Sequence, residues 1–458
     1  MQDNKQKKIS KKKFSLFNSD AAGIDIGGAF HFVAVPEDRD DNPIRKFNNF
    51  TEELYQLADW LLACGIKTVA MESTGVYWIP IYEILESRGF EVFLVNACHV
   101  KNVPGRKSDV LDCQWIQQLH TYGLLRASFR PDQSICQLRA YMRQRESLIQ
   151  YAANHVQHMQ KALAQMNVQL ANVVEDITGV TGMKIIRAII AGERSPEKLA
   201  SYRDGRCKQS EEVIAKSLHG NYRDEHMFAL QQAVELFDTY RAKIAECDNE
   251  VEKVLNQLAP NNPEKNNSNS EQKKKKKKRR NNELHFDAQN RLQQMTGVDL
   301  TKIDGIKTHS ALRIISEIGV DMSKWPSAKH FGSWLGLAPG TKISGGKKLS
   351  SKTKPSANRA ANMLRIAAST LHRSHSALGA FLRRQKARLG APKAITATAY
   401  KIARLIYSML RHGEDYVDAG QDYYNQQYQD RIIKNMQKKA KMLGFQLMPI
   451  QSLATEVP

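Results

Sequence analysis

The chain has 458 residues, with 68 Lys+Arg against 47 Asp+Glu and a formal net charge of +21. That is chain enough for about three domains, and the longest apolar runs, such as Val92–Val95, fall far short of the ~18 residues of a membrane span. Six cysteines, at 64, 98, 113, 136, 207 and 247, form no C-x-x-C pair, which speaks against a disulfide scaffold or zinc ribbon and for a reducing cytoplasm.

Residues 1–20 read as a basic, disordered tail; the first 13 carry +5 and do not have the look of a secretory leader. From 21 to 132 strand and helix signals alternate. Gly23–Phe30, His31–Pro36 and Ile44–Phe50 read as strands, and Glu52–Cys64 as a helix with apolar spacing at Leu54, Leu57, Trp60 and Leu61. Lys67–Met71 and Glu91–Val95 are short apolar strands separated by a helical Val76–Gly89. Ser108–Tyr122 is a helix with Ser108 as its N-cap. The order β-β-β-α-β-α-β-α puts antiparallel strands first and parallel crossover units after them, an α/β domain.

Residues 133–260 read as helical arms or an antiparallel coiled coil, carried by loose 3-to-4 spacing over 133–175 and 225–258. The segment 261–283 is a low-complexity, Lys-rich linker with nothing apolar to bury, and Lys273–Arg280 alone carries +8. A helix-rich C-terminal domain follows at 284–413, then an appended tail at 414–458. Between 322 and 413 stand 18 Lys+Arg and no Asp or Glu. This stretch is also rich in Leu, Ala, Ile, Phe and Trp, so it must fold. Such a surface repels itself unless a polyanion neutralises it, and phosphate backbones are the commonest such partner.

Four carboxylates stand out in the α/β domain. Asp25 lies mid-strand in GIDIG, an expensive place for a carboxylate unless it caps a turn or binds a cation. Glu72 ends TVAMES, where a parallel sheet exposes ligands at its carboxyl edge. Asp109 and Asp112, spaced i,i+3, share a helix face and repel unless a cation lies between them. Asp109 alone has a plain reading as a partner of the helix N-terminus and Glu72 alone as a turn residue, whereas Asp25 within a strand is the odd one. Together, in this element order, they read as an all-oxygen site for Mg²⁺ or Mn²⁺, where two ions about 4 Å apart can clamp both oxygens of a phosphodiester displacement. Arg106 and Lys107, just before the helix, are either phosphate contacts at its N-terminus or plain surface charge.

In the C-terminal domain, 295–320 reads helix–turn–helix around Ile303–Ile306 and looks like a helix-hairpin-helix, whose turn presents N–H groups to a phosphate. Asp304 and Lys307 stand where such turns usually carry Pro and a second Gly; Lys307 supplies charge instead. Gly340–Ser356 is a turn-rich loop holding Ser344, Ser350, Ser351 and Ser356 among Lys342, Lys347, Lys348, Lys352 and Lys354. A serine in such a loop is usually a phosphate ligand, and Gly345 and Gly346 let a DNA backbone come close. Helices at 359–384 and 393–411 set Arg365 and other arginines beside aliphatic stripes as groove or phosphate contacts. His155/His158 and His372/His375 share i,i+3 spacing without partnering Cys or His, and read as solvated or nucleic-acid-facing.

GIDIG, AMESTGVYW (70–78) and NACHVKNVPGRKSDVLDCQW (96–115) resemble the RuvC/RNase H-like N-terminal domain of the DEDD insertion-sequence transposases. That family is related to the Piv/MooV DNA invertases, and its members are understood as bridge-RNA-guided recombinases. Sugar kinases and actin-like ATPases share GIDIG, but the second Asp-Gly-Thr phosphate loop that they need is not in this sequence. The resemblance covers essentially the whole folded chain. It implies an acidic tetrad at Asp25, Glu72, Asp109 and Asp112. It also implies a C-terminal transposase domain whose nucleophilic serine, before a glycine, falls on Ser344 in ISGGK. Asn358 and Arg359 match the family's downstream polar positions as phosphate contacts. Further implications are a covalent phosphoserine intermediate, strand exchange at element ends and target, and a composite site across a homo-oligomer, dimer or tetramer. A structured noncoding guide RNA and a cytoplasmic, nucleoid-associated protein with no membrane partner complete the expectation. Two other functions fit the same residues: a metal-dependent nuclease that resolves branched DNA with water as nucleophile, and a non-catalytic DNA- or RNA-binding protein with structural carboxylates.

Overall fold

Ala21–Ile26 (β1) stops at Gly27, whose N–H donates to the Phe30 carbonyl and turns the chain back into Phe30–Ala34 (β2). Ile44–Asn48 (β3) adds antiparallel to β2. Thr51–Ala63 (α1) then leads to Thr68–Glu72 (β4), parallel to β1, and Trp78–Ser87 (α2) leads to Glu91–Val95 (β5), parallel to β4. Asp109–Thr121 (α3) follows. The sheet order is β3-β2-β1-β4-β5, the mixed α/β arrangement that the spacing of apolar runs predicts. The computed structural model describes residues 16–73, 75–96, 109–259 and 282–448. The basic residues 1–15 and the run Lys273–Arg280 lie outside these.

The two faces of the sheet are covered differently. Ile24, Ile26, Val33, Val69 and Met71 pack on Leu54, Leu57 and Leu61 of α1 and Ile81 and Leu85 of α2. On the other face Ala70 and Val95 meet Ile116 of α3 and Leu125. Thr68 shares that face, and its hydroxyl lies 2.8 Å from His120 Nε2 of α3. Burial pulls the His120 pKa down to about 4, so the ring is neutral there.

The chain divides after Arg130, and a second unit runs from Pro131 to the C-terminus. It takes in the segments read above as arms, linker, helix-rich domain and tail. Gln133–Gln165 (α4) and Asp224–Leu258 (α6) are 33 and 35 residues long. They run antiparallel, Arg145 meeting Asp248 and Tyr151 meeting Tyr240. Where the spacing suggests helix to 175, α4 ends at Gln165 and Asn167 turns the chain at φ +60°. Val180–Ile190 (α5) and short helices at 170–173, 196–200 and 211–217 close an apolar core on the helix ends, with Ile185, Ile186, Leu199 and Leu218 buried.

Beyond residue 282 come Ala288–Thr296 (α7), Thr308–Ile318 (α8), Ala328–Trp334 (α9), Lys342–Ser344 (β6) and Lys347–Ser350 (β7). The expected helix 359–384 is two, Arg359–Thr370 (α10) and Ala377–Leu389 (α11). A 3-10 turn at 371–373 separates them, and the Ser376 side chain caps α11. Ala391–His412 (α12) buries Ile402, Ala403 and Ile406. Tyr407 of the same helix donates to the Trp325 carbonyl at 2.9 Å. The expected tail carries a further helix, Gly420–Met442 (α13), docked on α11 through Tyr424 against Phe381 and Arg384. Among the described residues no helix is long and apolar enough to cross a membrane.

Candidate active site

Asp25 and Glu72 reach one face of the sheet by register. In the parallel β1–β4 pair Ala21 lies beside Thr68 and Gly23 beside Ala70, so the next step in phase brings Asp25 level with Glu72 at the carboxyl ends of the strands. Side chains alternate along a strand, so both lie on the side of Gly23 and Ala70, where α3 rests. Gly23 permits that contact: a Cβ there would stand 2.3 Å from the Gln117 nitrogen and 2.4 Å from the Cys113 carbonyl oxygen. The helix backbone therefore sits directly on β1, and Asp112, the residue before Cys113, comes with it. Asp25, Glu72 and Asp112 are each half-buried. The Cys113 thiol registers the local charge: burial first, then the Asp25 carboxylate, with Asp112 adding, push its pKa up to about 12.

Asp109 is the first residue of α3; its side chain, with Arg106 and Lys107, lies outside the described residues, as does Ser108. Among the described residues no group of three or more His, Cys, Asp or Glu side chains is gathered closely enough to hold a metal ion. What this face does offer are the carboxylates of Asp25 on β1 and Glu72 on β4. Such hard donors fit Mg²⁺ or Mn²⁺ and not a thiophilic metal.

In the second unit the expected loop around Ser344 is a two-residue hairpin. Gly345 and Gly346 adopt φ of +54° and +75°, the left-handed pair that a type I′ turn demands. Among the described residues no atom beyond the immediate chain neighbours lies within 4 Å of where a Cβ would stand on either one, so the tip is open there. Ser344 pairs with Lys347, Ile343 with Lys348, and Lys342 with Ser350, which leaves Leu349 as the extra residue of a bulge. Ser344, Lys342 and Lys347 thus share one face of the ribbon, and Ile343 and Lys348 share the other. Every residue from 342 to 349 is exposed.

Residues 22–168 match the family model of the IS110-type DEDD transposases, described as "Transposase". Residues 289–382 match the model described as "Transposase IS116/IS110/IS902 family". The chain belongs to this family of DEDD insertion-sequence transposases. No curated protein matches it.

The other residues expected to touch nucleic acid in this transposase divide into two sets. Asn358 is a helix cap: its side chain accepts the Ala361 N–H at 3.1 Å and so satisfies the start of α10. Arg359 pairs with Glu146 of α4 at 3.4 Å, and Arg365 donates to Asn362 at 3.0 Å. Lys307, Lys342, Lys347, Lys348 and Lys352 are exposed, as is Arg359 despite its ion pair. The hairpin-like turn at 303–306 faces inward. Gly305 abuts the Ala367 carbonyl, a Cβ there coming within 2.8 Å of it, Asp304 accepts from the Ser374 hydroxyl, and Ile303 and Ile306 are buried. The turn packs on α10 and the segment that follows it, and Asp304, in the position of the usual Pro, holds Ser374. His155 stacks on Tyr240, with ring centroids 5.4 Å apart, and meets His158 edge-on.

One constellation was not anticipated. Arg145 of α4 and Asp248 of α6 are 1% and 0% exposed and form an ion pair. The Arg145 guanidinium also donates to the Asn282 carbonyl at 3.0 Å and approaches His309 Nε2 of α8 at 3.4 Å. Burial first, then the charges of Arg145 and Arg313, lower the His309 pKa to about 4, so the ring is neutral, and beside a guanidinium that can only donate, Nε2 is the accepting nitrogen. The available signal was phase. Leu138, Met142, Arg145, Ile149 and Ala152 follow one 4-3-4-3 seam, and Ile244, Asp248, Val251 and Leu255 follow another, with opposite charges at core positions.

Proposed function

We propose that this transposase cuts and rejoins DNA strands at insertion-element ends and target with Ser344 as nucleophile, and that Asp25, Glu72, Asp109 and Asp112 hold divalent metal. The observation that carries the reading is the shared face of Asp25 and Glu72 at the ends of two adjacent parallel strands, with α3 laid against it. Mg²⁺ or Mn²⁺, when bound, supplies positive charge that stabilises oxygen anions of a phosphodiester.

The steps at Ser344 balance as a transesterification. Its hydroxyl loses a proton to solvent, Oγ bonds to phosphorus, and the displaced sugar oxygen leaves as a hydroxyl after taking up a proton. A hydroxyl from another strand reverses the step and releases the serine. Lys342 and Lys347, on the serine's own face of the hairpin, neutralise non-bridging phosphate oxygens, and the open glycine tip lets the backbone approach. Lys307, Lys348 and Lys352 extend the phosphate track; Arg359 and Arg365 join it where their present partners release them, and Arg106 and Lys107 serve the acidic site. A structured noncoding RNA supplies guidance, and the protein works as a dimer or tetramer in the cytoplasm, associated with the nucleoid.

The test is a covalent adduct. Incubated with Mg²⁺ and DNA bearing the ends of its element, the wild-type protein should be trapped on DNA by denaturing electrophoresis. Ser344→Ala should lose both the adduct and strand exchange, and Asp25→Asn should lose cutting while still binding DNA. Cutting by Ser344→Ala without any adduct in the wild type would transfer the nucleophile's role to water.

A further inference from the structure

We propose that the β6–β7 hairpin is a wedge: Ile343 and Leu349 enter the duplex at a base step beside the phosphate that Ser344 addresses and unstack it. The inference rests on the reading of Ser344 given above and adds to it the task of the ribbon's second face. Ile343 and Leu349 are 67% and 69% exposed. A two-stranded ribbon is marginally stable on its own and ordinarily lays its apolar side on a core. This one leaves Ile343 in water, and Leu349, the extra residue of the bulge on the facing strand, is exposed as well.

Charge decides what covers it. Lys342, Lys347 and Lys348 lie on the ribbon and Lys352 just beyond it, all exposed, in a stretch from 322 to 413 that holds no Asp or Glu. Aliphatic side chains ringed by ammonium groups complement a polyanion with an apolar interior. A DNA duplex is such a body, phosphates outside and stacked bases within. A second copy of this chain would instead set lysine against lysine at the same patch, a repulsive match. Two-stranded ribbons fit DNA grooves, and Leu and Ile are among the apolar side chains that proteins insert to part base steps. The open turn adds no bulk to hold the ribbon away from the backbone. Unstacking beside the cut loosens the strand that has to leave.

Full-length protein titrated onto short duplexes with 2-aminopurine at successive positions, over a salt series, tests the wedge. The wild type should raise emission at one or two steps, most at flexible pyrimidine–purine steps. Ile343→Asn/Leu349→Asn should keep the salt slope and lose the rise, with each single variant losing part of it. Lys347→Ala/Lys348→Ala should lower the salt slope by about two and keep the rise at saturation. Ser344→Ala should keep both. Steep salt-dependent binding by the wild type without any rise overturns the wedge and leaves the nucleophile reading standing. The absence of salt-dependent binding overturns both. A double variant that retains the rise but sediments differently as free protein overturns the wedge in favour of contact between copies.

Discussion

Arg145 occupies a position on α4 where the seam calls for an aliphatic side chain, and Asp248 does the same on α6. Burying two charges costs several kcal/mol each unless every polar atom finds a partner. Here the partners come from three segments: Asp248 of α6, the 282–285 stretch with the Asn282 carbonyl and with His285 3.4 Å from Asp248, and His309 of α8. Asp248→Asn removes the countercharge and leaves the guanidinium buried, so urea denaturation should show a loss of about 3–5 kcal/mol. Arg145→Met/Asp248→Leu removes both charges and should come close to the wild type. The opposite charges were visible in the sequence at core phase. Their pairing was not, because the offset between two antiparallel helices is set by the residues that join them, and 176–224 carries no clear periodicity. In the acidic site, residue types and spacing were legible. The role of Gly23 was not, since a glycine in GIDIG gives no sign that a helix backbone lies on it.

At the scale of elements, α3 is positioned by what Gly23 lacks. Gly23→Ala places a methyl against the backbone at Gln117 and Cys113, and α3 must move off β1 at a cost of about 1–3 kcal/mol. Asp112 moves with it. Metal-dependent cutting should therefore fall by on the order of 100-fold, while DNA binding through the second unit, followed by gel shift, stays near the wild-type level. The strands and helices of the sheet were readable because each is an apolar run or an apolar stripe with one buried face. The hairpin was not: its strands have three and four residues, all but Ser350 exposed, so no alternation toward a core exists to be read. Only the Gly-Gly pair marks it. α13 escaped for the same reason, having no buried residue.

Across the molecule, three histidines, His31 and His120 buried and His309 partly so, tie stability to pH. Burial lowers the pKa of His31, His120 and His309 to about 4. Each ring is neutral when folded, whereas in the unfolded chain it titrates near 6.5. As pH falls through 6.5 the unfolded state takes up protons first, so stability present above that value is lost progressively down to about 4. The loss is at most ~3 kcal/mol per histidine. Thermal melts between pH 7.5 and 4.5 should show the midpoint falling, and His120→Gln should flatten the fall. The net charge, in turn, pointed to nucleic acid from the sequence alone, but not to which cations are free. Glu146 engages both Arg313 and Arg359, and Asp415 holds Lys302, so part of the basic surface is internally neutralised while the hairpin lysines stand open to solvent.

These bonds also set a timetable. Glu146 lies 213 residues before Arg359, and Arg139 lies 178 before Glu317. At ~5–20 residues per second of synthesis, the charged face of α4 is complete on the order of 10–40 s before its last partner leaves the ribosome. During that interval α4 carries charges whose native counterions do not yet exist. The second unit therefore closes late in translation, and the Asp415 contact with Lys302 comes among the last.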